Sequence, residues 1–375
     1  MDTLETFYAV ALTRVSGINL ANLLQLYRRL GSATAVMEHR NDIRDVMPEA
    51  SPLLVSALKD TEEAMKRAEE ELKYNAAHGI ETLCMSNPRY PQRLLQCDDA
   101  PLVVYYRGCA DLNPRHVVCM VGTRQCTVYG QDLVRRFCTD LQRLCPDVLI
   151  ISGLAYGIDI TAHRQALAHG FDTVAVLAHG QDSLYPSMHR ETAGKMVSQG
   201  GLLTEFMTQT RPDKRNCVQR NRIVAGMSDA CIVVESGIKG GSLITAGISR
   251  SYDREVLAFP GAVNWPQSEG CNQLIRNNEA ALITSAGDFV TAMGWDDDLR
   301  LSDARQKGIE RNLFPTLSAD EQTIADVLHK HNDLQVNMLS AQSGLPIARL
   351  TALLFEMEMK GIVKTLAGGA YHLLE

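Results

Sequence analysis

Seven short apolar runs lie between residues 116 and 284 of this 375-residue chain, and segments long enough for a helix separate them. Most of the runs are apolar at every position, which is typical of strands that helices cover on both faces. Strands and helices alternating at this spacing form βαβ units, so the pattern predicts an α/β domain with one doubly wound, mostly parallel sheet. The predicted strands are residues 116–121, 148–152, 173–178, 201–205, 230–235, 255–259 and 281–284.

The first 75 residues show helical periodicity instead. Between residues 20 and 30 the large apolar side chains recur three and four positions apart, which places them on one face of a helix. Asn19 suits the N-cap of this helix, and Gly31 suits its C-cap. A further helix is predicted over 61–73, and the two prolines within 87–91 predict an extended connector.

The C-terminal part begins with a segment of a different kind. Nine of the 17 residues from 296 to 312 are charged, so we predict a solvated linker there. Three helical patterns and two apolar runs separated by paired glycines follow, and this order predicts a winged helix-turn-helix module. The predicted helices are 318–330, 334–341 and 346–360, and the predicted hairpin strands are 362–366 and 370–374.

These changes of pattern divide the chain into four predicted parts. The central sheet forms the largest part, and smaller helical modules flank it on both sides. The parts are a small helical domain over 1–80, the sheet domain over 81–295, the charged linker over 296–315 and the winged-helix domain over 316–375.

The overall composition excludes several classes of protein. The formal net charge of −7 provides no global positive field, so any nucleic-acid site must be local. No apolar run approaches the roughly 20 residues needed to cross a membrane, and the first residues lack the pattern of a secretory signal. The ten cysteines are scattered without zinc-site spacing, as for buried thiols in a reducing compartment. We therefore expect a cytoplasmic protein with no metal site.

Gly-rich or basic elements follow the predicted strands. A Gly-rich turn between a strand and a helix presents backbone N–H groups at a positive helix end, which suits a phosphate. Each element alone also fits a tight turn or a solvated surface. Five of them in order, all at strand ends, predict a site for an extended anionic ligand. The elements are 122–124, 152–159, 211–222 (with a net charge of +4), 240–247 and 270–272.

No catalytic or cofactor motif accompanies these elements. The glycine spacing differs from that of a dinucleotide site, and the chain has no P-loop, nucleophile elbow or H-E-x-x-H sequence. Asp159 is expected to cap the helix after the second turn, and His163 to pack or hydrogen-bond rather than catalyse. The sequence thus predicts no catalytic residue and no cofactor.

The motifs taken together closely resemble those of the DNA processing protein A family, also called DprA or Smf, over roughly residues 85–290. Two upstream segments, YPxxL at 90–94 and PLVVYYRG at 101–108, resemble the lead-in strand of the family. The other matching motifs are VGTR at 121–124, SGLAxGIDxxAH at 152–163, RNRIVAG at 220–226, GSLITA at 241–246, FPG at 259–261 and GCNxLI at 270–275.

The resemblance implies an extended Rossmann-like domain that binds single-stranded DNA, has no catalytic role and passes the strand to a RecA-type recombinase. It also implies a role in natural transformation, where incoming strands are protected from nucleases, and a homodimer. We expect Arg124 and Arg220 to flank one groove, and neither to matter for stability. The implied DNA-binding residues are Gly122, Thr123, Arg124, Ser152, Gly153, Gly157, Arg220, Asn221, Arg222, Gly241, Ser242 and Thr245.

The chain departs from the family pattern at three places. Residues 216–219 read Asn-Cys-Val-Gln where the family usually has N-F-P-x, and Lys-Gly at 239–240 replaces Arg-Ser. Ser187 occupies a position that is often basic, and His189 and Arg190 lie close enough in sequence to substitute for it.

The flanking modules carry no strong nucleic-acid signal. Residues 15–18 resemble half of a helix-hairpin-helix turn, without its second glycine and its lysine. The predicted recognition helix sets Arg349 and Lys360 against Glu356 and Glu358, so it is not a basic reading helix. We expect both flanks to serve packing, protein contacts or regulation, and strand binding to need neither.

An enzyme remains the alternative. Rossmann-like relatives with Gly-rich turns include phosphoribohydrolases, which cleave the N-glycosidic bond of nucleotides. In that interpretation Glu205 or Glu235, both at predicted strand ends, would act on the ribose.

Overall fold

A nine-stranded sheet is the centre of the first of the two units into which the chain divides, Met1–Asp296 and Asp297–Glu375. The computed structural model describes residues 3–295, 317–331, 334–360, 362–366 and 370–373. The strands are β1 (Glu81–Cys84), β2 (Val103–Gly108), β3 (His116–Val121), β4 (Val148–Ser152), β5 (Thr173–Val176), β6 (Gly200–Thr204), β7 (Ala230–Val233), β8 (Glu255–Ala258) and β9 (Ala281–Leu282).

The strand order in this sheet is β1-β2-β6-β5-β4-β3-β7-β8-β9. From β3 the chain moves outward through β4, β5 and β6, returns to place β7 beside β3, and then moves the other way. The strands β3 to β9 are parallel, whereas β2 pairs antiparallel with β6 and β1 antiparallel with β2. The prediction of a doubly wound, mostly parallel sheet is confirmed.

Each of the seven predicted strands is present in the sheet. β3 and β4 have the predicted bounds, and the others differ from the predicted bounds by no more than two residues. β2 coincides with the lead-in strand that the family resemblance indicated. β1 was not predicted, because the four residues of Glu81–Cys84 are too few to show an alternating pattern.

Helices cover both faces of the sheet and form the N-terminal part of the unit. They are α1 (Thr3–Leu12), α2 (Leu20–Leu30), α3 (Ala33–Glu38), α4 (Ile43–Val46), α5 (Pro52–Lys59), α6 (Glu62–His78), α7 (Gln92–Leu95), α8 (Val128–Leu144), α9 (Ile158–Ala168), α10 (Arg190–Ser198), α11 (Lys214–Gly226), α12 (Gly241–Ser251), α13 (Glu269–Arg276) and α14 (Ala286–Ala292), with single 3-10 turns at His39–Asn41 and Ser187–His189.

The predicted ends of α2 are confirmed. The Asn19 side chain accepts a hydrogen bond from the Asn22 N–H at 2.8 Å. At the other end Gly31 has a φ of 84°, and its N–H donates to the Tyr27 carbonyl. A left-handed residue of this kind costs glycine nothing, which is why the helix ends there. The helix predicted over 61–73 is longer than expected and runs from Glu62 to His78.

The expectation of an extended connector over 87–91 is wrong. The chain makes tight turns there, and the Asn87 side chain accepts a hydrogen bond from the Arg89 N–H at 2.9 Å. Tyr90 is fully buried, and its hydroxyl donates to the Pro101 carbonyl at 2.5 Å. The prolines are therefore part of a compact turn, and this turn places the ring of Tyr90 in the core of the sheet.

The N-terminal helices share a hydrophobic core with one face of the antiparallel edge. Side chains alternate along β2, so Val103 and Tyr105 join the core of the helices while Val104 and Tyr106 join the core of the sheet. Glu71 of α6 connects the N-terminal helices to the sheet. Its carboxylate accepts hydrogen bonds from Arg67 and from the N–H of Thr208, which follows β6. A glutamate as buried as this one needs such partners.

The described residues of the second unit form three helices and a three-stranded sheet. Helix α15 begins with a capping box between Ser318 and Glu321, and two further helices precede an antiparallel hairpin. This arrangement confirms the predicted winged helix, whereas the whole of the predicted linker 296–315 lies outside the described residues. The elements are α15 (Ala319–Lys330), β10 (Leu334–Gln335), α16 (Val336–Ser343), α17 (Ile347–Met359), β11 (Val363–Leu366) and β12 (Ala370–Leu373), with strand order β10-β12-β11.

None of the helices in the described ranges is long and apolar enough to cross a membrane. The ten cysteines all carry free thiols.

Candidate functional site

A cavity of about 270 Å³ lies at the carboxyl ends of β3, β4 and β7. The strand order reverses between β3 and β7, and open α/β sheets bind ligands in the crevice at such a switch point. The lining residues are Val121, Gly122, Thr123, Arg124, Gly153, Ala155, Asp159, Lys214, Cys217, Val218, Arg220, Asn221, Val224, Gly240, Gly241, Ser242, Ile244 and Thr245.

Glycines bring the main chain to the surface of this cavity. A Cβ on Gly153 would lie 2.3 Å from Nη2 of Arg220, so a larger residue would displace that guanidinium. A Cβ on Gly241 would meet no atom within 4 Å, because it would point into open space. Gly241 therefore leaves room beside the backbone for a ligand.

The N-terminus of α12 faces this open space. Its N-cap residue, Gly240, has no side chain to accept from the first N–H groups of the helix. The Ser242 hydroxyl donates to Ser236 Oγ at 2.8 Å. Uncapped N–H groups and the positive end of the helix dipole favour an anion at this position.

Positive charge dominates the rim of the cavity. Arg124 and Lys214 are exposed, and neither side chain forms an ion pair or a hydrogen bond with any residue in the described ranges. Asp159 is the one carboxylate among the lining residues that the structure describes. Burial raises the pKa of Asp159, although nearby Arg220 opposes this shift. The two rim cations are therefore free to bind an anion from solvent.

Arg220 lies inside this site rather than on its rim. Only 5% of its surface is exposed, and its Nη1 donates to the Gly153 carbonyl at 2.7 Å and to the Val176 carbonyl. Burial lowers the pKa of this guanidinium. Arg220 and Arg124 border the same cavity, as expected, whereas the expectation that Arg220 does not affect stability is wrong, because its side chain joins the ends of β4 and β5.

Arg222 lies away from the cavity. Residues two apart on a helix point about 200° apart, so Arg220 and Arg222 cannot face the same side of α11. Arg222 is 7% exposed, and its Nη2 lies 2.5 Å from Glu205 Oε2 in a buried ion pair. It also donates to the Asp99 carbonyl. The prediction that Arg222 belongs to the ligand site is therefore wrong.

Two further predicted residues support the site without lining it. The Ser152 hydroxyl is buried and donates to the Met120 carbonyl at 2.6 Å. Gly157 has a φ of +77°, and a Cβ there would lie 2.2 Å from the Thr123 carbonyl oxygen. Ser152 and Gly157 therefore shape the turns beside the cavity. The predicted residues that do line it are Gly122, Thr123, Arg124, Gly153, Arg220, Asn221, Gly241, Ser242 and Thr245.

One face of α11 lines the cavity, and sequence reasoning missed most of it. The helix begins at Lys214 with Asp213 as its N-cap, so residues 220–222 lie well inside it. The spacing of its lining residues at i, i+3, i+4, i+7 and i+10 is a helical signal that could have identified them. They are Lys214, Cys217, Val218, Asn221 and Val224, and Arg220 of the same helix also reaches the cavity.

The fifth predicted element, 270–272, does not reach the cavity. Asn272 binds the backbone of Gly261 through both of its side-chain atoms, at 3.0 and 3.1 Å. His189 is also unavailable, because it is buried and its Nδ1 lies 2.9 Å from the Leu154 carbonyl. It cannot replace the basic residue expected near Ser187.

His163 has a structural role, as predicted. Its Nδ1 lies 2.7 Å from Thr173 Oγ1, which itself donates to the Ile150 carbonyl, so Nδ1 carries the proton. Its Nε2 is buried without a partner in the described residues. Burial is the main cause that lowers the pKa of His163 to about 3. The neutral ring is therefore part of the core.

The two carboxylates of the alternative enzyme interpretation serve structural contacts. Glu205 pairs with Arg222. Glu235 accepts from the Thr127 hydroxyl at 2.6 Å and from the Thr127 N–H at 2.9 Å. Neither carboxylate lines the cavity at the switch point. In the described ranges, no group of three or more His, Cys, Asp or Glu residues is placed to hold a metal.

Fold and site together define a Rossmann-like α/β protein with a crevice bordered by free cations at its switch point and a winged-helix unit after it. The family model for DNA recombination-mediator protein A matches residues 81–294, and that for the DprA winged helix domain matches 313–369. The chain belongs to the DprA/Smf family, which confirms the resemblance seen in its motifs.

Individual relatives agree with this assignment. The chain is 34% identical over 275 residues to the putative DNA processing protein DprA of Mycobacterium tuberculosis, with 72% of this chain and 69% of the relative covered. It is 33% identical over 293 residues to protein Smf of Escherichia coli, covering 75% and 74%.

Two solved structures share the fold. DprA from Streptococcus pneumoniae matches with a TM-score of 0.65 at 29% identity, covering 76% of this chain and 97% of that one. DNA processing protein A from Helicobacter pylori, described for its single-stranded DNA binding mode, matches with a TM-score of 0.52 at 26% identity, covering 58% and 96%.

Proposed function

We propose that this protein binds single-stranded DNA at the switch-point cavity without catalysing a reaction on it. The observation that carries the proposal is the pair of free cations, Arg124 and Lys214, beside the uncapped N-terminus of α12. Phosphate is the anion that this combination favours. The single-stranded DNA binding described for the Helicobacter pylori relative supports the same ligand.

A single strand fits the site better than a duplex. The cations are concentrated in one crevice of a chain with a net charge of −7, so the attraction is local. A crevice of about 270 Å³ admits one backbone, whereas a duplex needs a broad positive surface that spans both strands. Contacts to phosphate carry no sequence information, and binding should therefore depend little on sequence.

The cellular role is inferred from the family. We place the protein in the cytoplasm, where it protects incoming strands during natural transformation or recombination, delivers them to a RecA-type recombinase and acts as a homodimer. Its ten free thiols suit a reducing compartment. For the division of the chain we retain a helical part over 1–80, the DNA-binding part over 81–295, a linker over 296–315 and the winged helix over 316–375.

The charges of the winged helix favour protein contacts for that module. Both basic residues at its predicted recognition helix are paired with the first helix of the unit. Arg349 pairs with Asp320, and Lys360 Nζ lies 2.6 Å from Glu321 Oε1. These cations are already neutralised, which leaves little positive charge for DNA.

The absence of a catalytic role rests on the use of the candidate acids elsewhere. Glu205 and Glu235 are held by Arg222 and Thr127, and the carboxylate that does line the cavity, Asp159, is buried beside a guanidinium. A phosphoribohydrolase needs a carboxylate that reaches the ribose. This arrangement favours the binding function over the enzyme.

Fluorescence anisotropy with a labelled oligo-dT tests this proposal. The affinity should fall with salt with a slope of about −0.7 for each phosphate neutralised, or roughly −2 to −4 for three to six contacts. Unlabelled single strands should compete much better than blunt duplex of the same length. Equal competition by duplex, or release of free base from nucleoside monophosphates, would overturn the proposal.

A further inference from the structure

Trp265 lies on the surface in the segment between β8 and α13. Its exposed fraction is 48%, and that of neighbouring Val263 is 83%. The chain has two tryptophans, and the other, Trp295, is 7% exposed and packs edge-on against Phe289. A large aromatic ring left half in water is available for a ligand that buries it.

The segment that carries Trp265 is held firmly in place. The Asn272 side chain makes two hydrogen bonds with the Gly261 backbone, at 3.0 and 3.1 Å. The Tyr129 hydroxyl donates to the Pro260 carbonyl at 2.9 Å, which ties the same segment to the start of α8. The indole is therefore presented by a pre-organised loop, which reduces the entropy lost when a ligand binds.

This loop adjoins the loop that leads into the cavity. A Cβ on Gly237 would lie 3.3 Å from the Pro266 carbonyl oxygen, next to Trp265 in sequence. The Gly240 N–H donates to the Gly237 carbonyl at 2.9 Å, closing a turn less than about 7 Å across. Gly240 itself lines the cavity. The path from the cavity to the Trp265 loop thus crosses one tight turn.

We propose that Trp265 is a stacking platform for a base of the DNA strand whose phosphates occupy the switch-point cavity. The inference rests on the proposed function, and it adds a base contact to a site that otherwise grips the backbone. An aromatic face stacks with any base, so it lengthens the binding site without adding sequence preference. The rim cations of the cavity and the exposed indole would then contact successive parts of one strand.

Tryptophan fluorescence of the full chain provides a direct test. Stacking on a base should quench Trp265 when oligo-dT is added, and Trp295→Phe should retain this quenching because the buried ring takes no part. Trp265→Phe should abolish the quenching but keep most of the affinity, since phenylalanine still offers an aromatic face.

The affinity of Trp265→Leu completes the test. Loss of one stacked base should weaken oligo-dT binding about five- to 150-fold. The salt slope should stay the same, because no phosphate contact is lost. Reduced affinity with an altered slope would instead indicate a disturbed cavity and would overturn the assignment.

The outcomes separate this inference from the proposed function. If anisotropy shows binding but Trp295→Phe shows no quenching, the strand does not reach Trp265, and only the inference fails. Quenching together with unchanged affinity in Trp265→Leu would also refute stacking. If the parent chain does not bind oligo-dT at all, the proposed function fails as well.

Discussion

Arg124→Ala is the most direct perturbation of the proposed phosphate site. The side chain is exposed, has no ion-pair or hydrogen-bond partner in the described ranges, and lies on the rim of the cavity. Its removal therefore breaks no ion pair and no side-chain hydrogen bond within the described residues. The free energy of unfolding should change by no more than about 0.5 kcal/mol, as for other surface substitutions.

The effect on binding follows from the geometry of the rim. Two opposite charges 4 Å apart attract by about 1 kcal/mol in bulk water and by about 4 kcal/mol at an effective dielectric constant of 20. A charge-assisted hydrogen bond to phosphate contributes about 1.5–3 kcal/mol, which lies between these limits. Arg124→Ala should therefore weaken oligo-dT binding by roughly ten- to 150-fold.

The salt dependence provides a second readout. Each lost phosphate contact should flatten the slope of log K against log salt by about 0.7. Arg143→Ala is the matched control, because Arg143 is also exposed but lies in the last turn of α8, about 22 Å along the helix from its first residue. It removes the same charge and should leave both affinity and slope unchanged.

The assay is anisotropy across a salt series, with urea unfolding to show that each variant is folded. Arg124→Glu should bind still more weakly than Arg124→Ala, since it adds repulsion to the loss of the contact. A folded Arg124→Glu protein with the affinity and salt slope of the parent would refute the placement of phosphate at this rim.

Four other perturbations test separate parts of the site and core. Gly241→Ala should weaken oligo-dT binding, because its methyl group enters open space in the cavity. Gly247→Ala is the control on the same helix: its new Cβ also has no neighbour within 4 Å, and the affinity should not change. Arg222→Ala should lower the free energy of unfolding in urea by about 3–5 kcal/mol, because it leaves a buried carboxylate unpaired. Arg220→Ala should also lower it, by about 2–4 kcal/mol, because two hydrogen bonds to carbonyls are lost. The pKa of His163 is about 3 in the folded protein against an ordinary 6.5, so the unfolded chain binds more protons between these values. The free energy of unfolding should therefore fall by about 2 kcal/mol as the pH is lowered from 7 to 5. His163→Asn should remove this loss.

Local sequence signals predicted the elements whose ends depend on neighbouring residues. Asn19 and Gly31 define α2 through contacts within four residues of each helix end, and the apolar run of β3 needs only its own composition. The turns at Gly122 and Gly153 likewise follow strands at the expected positions, and the switch-point cavity forms between them.

The roles of the arginines could not be predicted in the same way. Arg220 contacts carbonyls 67 and 44 residues away, and Arg222 pairs with a glutamate 17 residues away. Which side of α11 is buried depends on how that helix lies on the sheet, and no local pattern contains this information. The helical spacing alone would still have shown that the two arginines point in different directions.

The shared core at the antiparallel edge affects how fragments of this protein should be interpreted. Val103 and Tyr105 of β2 are covered by the N-terminal helices, and Glu71 holds Thr208 after β6. A fragment that begins at residue 81, where the family match begins, would expose this apolar strip to water. Such a fragment should also self-associate through the strip, so a dimer observed with it would not by itself demonstrate the homodimer of the full chain, and loss of DNA binding in it would not locate the site in the first 80 residues.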